Sequence, residues 1–413
     1  MLVFLATYLP GYKSGGPVRT IEAMVEALGD RIEFLIATSD RDSVDNAAER
    51  ASRYPGIEPG RWYPVGKAQV TYIEKPSSPV GILTAVRRLI GILNDTRPDL
   101  VYLNSFFDPA FSVGPMVHLA VRSPKTRVLI APRGEFDAGA LGLKARKKRL
   151  FLSLVRKAGL YRTAEWHAST DLEADNIRWV LAPRSAIHVA CDITRLPPVD
   201  DAGSDPARGK APGTVRLCFL ARISPKKNLH TAIKALEKVE GTVVFDVFGP
   251  DQEADYAAHC RALAEACGAH VTVRFRGSVP REDVLGVLQG YHGFLMPTLG
   301  ENFGHSIIEA MHCGVPVIIG DTTPWRGLAP LKAGFDVPPQ DLASVTRAVQ
   351  TLIDQDAQTW LSWSRAARNY AGEKLCPPRT VEACLHMFQG LPAHDGGPRS
   401  QSAGAPDGSA DLA

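Results

Sequence analysis

The chain has 413 residues, 45% hydrophobic and 22% charged, with 47 Lys and Arg against 44 Asp and Glu for a net charge of +3. That length suggests two or three domains, each able to bury a core without staples. The composition excludes a mainly disordered chain, the aperiodic 36 Gly and 31 Pro exclude a collagen-like or low-complexity one, and the balanced charge excludes a protein whose main task is coating nucleic acid.

The apolar run 2–8 predicts a first strand; it is too short and lacks the basic flank of a signal peptide. A glycine-bearing loop, 11–16, follows it. Pro17 then suits the first turn of a helix whose apolar face uses Val18, Ile21, Val25 and Leu28, closed by Gly29. Residues 32–38 predict the next strand. This order of strand, glycine loop, helix and strand opens a doubly wound parallel sheet. The Gly- and Pro-bearing stretch 40–79 reads as a long insertion. Strands are expected at 100–103 and 128–131, then a long helix at 141–158 and a short strand at 166–168. Thr170 and Glu173 form a capping box for the following helix, and 186–190 is the last strand of this half.

Residues 196–213 read as an interdomain linker, rich in Pro, Gly and Asp. A second alternation follows: strands at 215–220, 243–248, 271–275, 293–296 and 315–319, with helices at 229–239, 253–266, 281–289 and 304–312 and more through 370. Residues 376–390 predict a C-terminal helix that packs back on the first half, and 391–413 a disordered tail. The chain therefore reads as α/β, with two Rossmann-like doubly wound domains, 1–195 and 214–375, facing across a cleft. Ligands of such sheets sit at the carboxyl ends of the strands. The loops to carry chemistry are then 10–17, 132–137, 221–228, 248–252, 277–280 and 297–304.

The sharpest stretch is Glu301-Asn302-Phe303-Gly304-His305 with Glu309 inside the helix that follows. The backbone N–H groups near 303–305 are free donors of a helix start, a ready anion site. Carboxylates beside such a site make sense if they accept hydrogen bonds from ligand hydroxyls. A ligand with both anionic and hydroxyl groups is what a nucleotide-linked sugar is. The competing reading is a surface glutamate pair that stabilises a helix start. Arg222, Lys226 and Lys227 place three cations in one strand-to-helix loop of the same domain edge, either an exposed basic loop or a phosphate clamp. Together the two loops favour a ligand with phosphate and hydroxyls.

With these motifs and the following Ala310-Met311-His312-Cys313-Gly314-Val315-Pro316, the chain resembles the retaining GT-B glycosyltransferases of family 4, also called glycosyl transferases group 1. The resemblance covers most of the chain and is strongest over 215–336. It implies a nucleotide-sugar donor bound mainly by the second domain. Arg222 and Lys227 would hold the diphosphate, with Lys226 the nearby alternative. Glu309 would accept from ribose hydroxyls, Glu301 would face the donor sugar, and Gly277 to Val279 would lie near the base. In the first half Gly15-Gly16-Pro17-Val18-Arg19 resembles the family's glycine loop. Pro132-Arg133-Gly134-Glu135 resembles a subgroup active in bacterial polysaccharide assembly. No His stands in the 132–137 loop, where many relatives place a sugar-contacting one, so Arg133 or Glu135 is expected to do that work. The usual Asn-Gly before the linker is replaced by Cys191-Asp192.

The implied reaction moves a sugar from a UDP- or GDP-sugar to a glycan or lipid-linked acceptor, with no cofactor, no metal and no nucleic-acid partner. Donor contacts are expected from Gly15, Gly16, Gly277, Asn302, Phe303, Gly304, His305 and Glu309, and catalytic roles from Arg222, Lys227 and Glu301. The alternatives are a glycoside hydrolase that uses Glu301 and Glu309 as its carboxylate pair, or a catalytically silent nucleotide-sugar-binding subunit. Residues 144–149 hold five cations in six residues beside Leu150, Phe151 and Leu154. They form either a solvated helix face or a contact for anionic lipid heads or a pyrophosphate-linked acceptor. Asp40-Arg41-Asp42 has the spacing of a metal-binding Asp pair but lies far in sequence from the phosphate loops. Seven scattered cysteines without a Cys-x-x-Cys pair, and no apolar run long enough to span a bilayer, point to the cytoplasm, at most at the inner face of the membrane.

Overall fold

The computed structural model describes residues 1–11, 15–42, 52–122, 125–142, 145–194, 196–197, 209–375 and 377–390. Among them, β1 (Leu2–Phe4), β2 (Phe34–Ser39), β3 (Trp62–Val65), β4 (Ala68–Ile73), β5 (Leu100–Leu103), β6 (Arg127–Ile130), β7 (Glu165–Ala168) and β8 (Ile187–Val189) form one sheet. Its order is β3-β4-β2-β1-β5-β6-β7-β8, parallel throughout except where β3 meets β4. Alternation along β1 assigns the faces. Leu2 and Phe4 pack with helices Pro79–Thr96, Gly114–Arg122, Ala145–Ala158 and Asp171–Leu181, whereas Val3 packs with helices Gly16–Leu28 and Pro377–Gln389. The last of these is further held by Arg127, which donates to the Met387 and Phe388 carbonyls at 2.7 Å each.

The second sheet contains β9 (Thr214–Leu220), β10 (Thr242–Phe248), β11 (Val271–Gly277), β12 (Gly293–Met296), β13 (Val317–Gly320) and β14 (Gly334–Val337). It is all parallel in the order β11-β10-β9-β12-β13-β14. Its core cluster draws its buried members from residues 215–371 alone, so the two domains do not share a buried apolar core. The strand order reverses at β1 in one sheet and at β9 in the other. The loops that leave these strands therefore open into the crevice between oppositely wound halves, where α/β sheets bind ligands.

Several local expectations are corrected. The stretch 40–79 is not merely an insertion: β3 and β4 form a hairpin turned at Gly66, φ +57°, that adds two strands to the sheet edge. Of the helix expected over 141–158, the described residues show Ala138–Gly142, which begins three residues earlier, and Ala145–Ala158, with 143–144 outside the described residues. Asp137 opens the first of them, its carboxylate accepting from the Ala140 N–H. The capping box is half formed: Thr170 accepts from the Glu173 N–H at 3.1 Å, but the Glu173 carboxylate accepts from Ser169 and Gly134 instead. β14 was not anticipated. The expected tail lies outside the described residues, as does most of the expected linker.

Candidate active site

A cleft of about 440 Å³ lies between the domains. Its walls come from the loops that leave β1 and β9 and from the loop between β12 and helix His305–His312. Six cations line it: Arg19, Arg133, Arg222, Lys226, Lys227 and Arg281. Five of them already hold a carboxylate. Arg133 pairs with Asp192 at 2.6 Å and Lys226 with Asp137 at 2.6 Å. Lys227 pairs with Glu301, Arg19 with Glu309 and Arg281 with Glu22, each in a short contact. Arg222 is exposed to the cleft and makes no hydrogen bond or ion pair with the described residues. A guanidinium without a carboxylate partner has the chemistry to take an anion.

The glutamate loop is shaped by its surroundings. The Trp325 indole N–H donates to the Phe303 carbonyl at 2.6 Å, and Phe303 is buried against that ring. Gly304 has φ +80°, and a Cβ there would meet Ile307 at 2.9 Å, so a glycine is needed at this turn. No side chain caps helix His305–His312; in its first turn the Ile307 N–H turns back to the Gly304 carbonyl at 2.9 Å. Burial lowers the Lys227 pKa against the pull of Glu301, and burial raises that of Glu309 against Arg19. One Glu309 oxygen, Oε2, is buried without a hydrogen-bond partner among the described residues. Glu309 lines a smaller pocket of about 120 Å³ that adjoins the cleft rather than the cleft itself, and Arg19 and His305 line both.

Gly15, Gly16, Asn302, Phe303, Gly304 and His305 all line the cleft with Arg222, Lys227 and Glu301. Gly15 has φ +74° and open space beyond its Cα, and Gly16 faces His305. Gly277 ends β11 short of the wall; Ser278 and Val279 after it form that wall. Arg133 and Glu135 separate. Glu135 is not a cleft residue: it turns into its own domain, where it accepts from the Phe106 and Phe107 N–H groups and the Ser105 hydroxyl. Arg133 lines the cleft at φ +55°, held by Asn104, Tyr102, Ser169 and Asp192. Burial works against its charge, but Tyr102 and Asp192 outweigh it and keep the pKa above its ordinary value.

Sequence reasoning missed Asp192, Arg19 and Asp137 as participants. Asp192 is 4% exposed and joins both domains' loops: it accepts from Arg133, Thr20 and Ser169, and His305 lies 3.9 Å away. Burial acts to raise its pKa, yet Arg133 and His305 hold it below the usual carboxylate range. Burial lowers His305 to about 4, so this imidazole is neutral at neutral pH. Asn302 donates to Ser169 across the domains at 3.1 Å. The one available signal was position: Arg19 sits one turn beyond the glycine pair, and Asp192 stands where the resemblance breaks. Asp40 is salt-bridged to Arg53 at 2.9 Å and accepts from the Lys75 N–H. No cluster of three or more metal-ligating side chains occurs among the described residues.

Two family models match the chain. One, described as glycosyl transferases group 1, matches residues 204–370; the other, glycosyl transferase 4-like domain, matches 15–191. The O-antigen chain mannosyltransferase B of Escherichia coli is 28% identical over 114 residues, 27% of this chain and 29% of that protein. The chain spans only 29–40% of the length of the curated relatives it matches. Among solved structures, a sucrose-phosphate synthase from Thermosynechococcus elongatus superposes with a TM-score of 0.70 at 17% identity, covering 94% of this chain and 98% of that one. Anabaena HepE in complex with UDP-glucose superposes with a TM-score of 0.65 at 16% identity, covering 94% and 99%. The two parallel-sheet domains thus share the GT-B fold of these proteins.

Proposed function

The chain belongs to the glycosyl transferases group 1, and on that premise we propose that it transfers a sugar from a nucleoside-diphosphate sugar to an acceptor hydroxyl with retention of anomeric configuration. The observation that carries the reading is Arg222, the cleft cation without a hydrogen-bonded partner among the described residues, in the same loop as Lys227 and sharing the cleft with the uncapped helix start at Gly304. As the glycosidic bond breaks, negative charge grows on the departing diphosphate. Donors preorganised around that charge stabilise the transition state more than the ground state. The departing phosphate itself takes the acceptor proton, so no protein base is required.

In this reading the ribose hydroxyls donate to the unfilled Glu309 Oε2, and the donor sugar lies between Glu301 and Arg133. The glycine loop at Gly15 and Gly16 lets the first domain's backbone approach the ligand closely. The HepE complex with UDP-glucose supports a nucleotide-sugar donor, and the partial match to an O-antigen chain mannosyltransferase supports a glycan acceptor. The reaction is proposed to proceed on these fixed cations without a divalent ion, on the cytoplasmic side of a membrane. Activity should then survive stripping with EDTA; loss restored by manganese or magnesium would refute the metal-free route.

A thermal-shift screen against UDP-, GDP- and ADP-sugars tests the core of the proposal. One nucleotide sugar should raise the melting temperature of the parent and much less that of Arg222→Ala. Stabilisation by plain glycosides, with hydrolysis and no nucleotide dependence, would overturn it in favour of a hydrolase.

A further inference from the structure

We propose that the outer helix layer of the first domain is a docking face for an anionic lipid bilayer, centred on helix Ala145–Ala158. The layer consists of helices Pro79–Thr96, Gly114–Arg122, Ala145–Ala158 and Asp171–Leu181, all packed on one side of the sheet. Among the described residues, ten large hydrophobic side chains are left exposed, and eight of them stand on these four helices. That concentration is not what scattered surface leucines give.

The central helix shows why. Its inward stripe, Leu152 and Val155, is buried in the sheet core, and Lys148 is tied to the Ala140 carbonyl at 2.7 Å and lies over the Phe107 ring. Leu150 and Leu154, one turn apart, are 64% and 58% exposed and contribute nothing to that core. Around them stand the exposed cations Arg146, Lys147, Arg149, Arg156 and Lys157, and the helix has no Asp or Glu. The four helices together carry ten Lys and Arg against four Asp and Glu, while the whole chain is only +3. Cations ringing exposed leucines, with Trp179 75% exposed on the neighbouring helix, match the two layers of a membrane interface: anionic heads and the first methylenes below them. A folded protein partner would offer acidic side chains but no continuous apolar layer for both the leucines and Trp179 to enter.

The face also adjoins the cleft. These helices start from the carboxyl ends of their strands, the end that faces the second domain. Helix Ala138–Gly142, just before the basic helix, is opened by Asp137, which pairs with Lys226 at the cleft margin. A bilayer on this face therefore brings membrane-held molecules to the cleft mouth. Resting on the sugar-transfer reading, the acceptor is inferred to be a hydroxyl on a lipid-anchored molecule.

Flotation of the full chain with vesicles of equal parts phosphatidylcholine and phosphatidylglycerol, beside pure phosphatidylcholine, tests this. Binding is expected to the anionic vesicles only, and to weaken as salt rises. Replacing Arg146, Lys147 and Arg149 by Gln should lower it roughly a hundredfold, at about fivefold per charge removed nearest the surface. Leu150→Ser with Leu154→Ser should lower it further while circular dichroism and the nucleotide-sugar thermal shift stay at parent values. No binding by the parent, equal binding to neutral vesicles, or a concentration-dependent dimer that the leucine pair abolishes would overturn the proposal. If vesicles bind but no nucleotide sugar does, the sugar-transfer reading fails and the docking face stands.

Discussion

Two arginines, one from each domain, face the same cleft in opposite ways. Arg133, from the first domain, is held by Asn104, Tyr102, Ser169 and the buried carboxylate Asp192, with its backbone in the left-handed region. Arg222, from the second, has no such partner among the described residues and stands in the open cleft. Both leave a strand's carboxyl end on a short loop. The difference teaches that a cation at a strand end is available chemistry only when its own fold has not already neutralised it. At Arg133 charge secures a loop; at Arg222 it is left open to the cleft.

The sharpest way to break this contrast is to measure stability. Asp192→Asn leaves the Arg133 guanidinium buried without its carboxylate, which should cost about 3–5 kcal/mol. Arg222→Ala should leave stability at the parent value. Urea unfolding of both variants checks this, and equal losses would show that Arg222 is structural after all.

Turnover should run the other way. Lys227→Ala removes a cation from the proposed leaving group and should lower kcat about a hundred- to a thousandfold, roughly 2.7–4 kcal/mol. Glu309→Ala should act chiefly on KM, because ribose hydroxyls carry no developing charge. Steady-state kinetics with a nucleotide sugar found by the screen decides this. Parent-like kinetics in both, with folding intact, would remove these residues from the site.

Two buried histidines extend the comparison to pH. Burial lowers His305 to about 4 and His167, bonded to Tyr102 and the Ala190 carbonyl, to about 3. The unfolded chain takes these protons near pH 6.5, so below that value it binds more protons than the fold does. The stabilisation is complete above about pH 6.5 and is lost as pH falls toward 4 and then 3. Melting temperature should decline over that window, and His167→Gln should flatten its acid end. A flat profile in the parent would mean both imidazoles protonate freely in the fold.

The smallest expected effect concerns Arg19. Arg19→Gln frees Glu309 from its partner in the other domain and should raise donor KM roughly tenfold, the scale of one charge-assisted contact, with Lys at this position restoring part of it. An unchanged KM would show that Glu309 is held well enough by its own helix.

Much of the fold was legible because its signals are local. Short apolar runs separated by glycine loops and helical periods depend on neighbours a few residues apart, and β12 was placed to the residue. The hairpin of β3 and β4 was hidden because Gly and Pro around it read as loop. Its strands become sheet only by pairing with β2, which supplies the parallel edge for β4. Glu173 shows the same limit inside one motif: the spacing of a capping box is right, but the carboxylate is drawn to the Gly134 N–H on another loop.

By itself the sequence determined two wound domains, a cleft between them, and the cations and carboxylates that would face it from the second domain. Those follow from residue type and spacing within single strand–loop–helix units. Which charges are committed was decided only by the tertiary structure. Arg133 meets Asp192 across 59 residues and Arg19 meets Glu309 across 290, and no local pattern encodes either approach. Coulomb attraction and the cost of an unpaired buried charge act on distance in space, so only the folded chain could separate the cations that hold loops from Arg222, which makes no ion pair with the described residues.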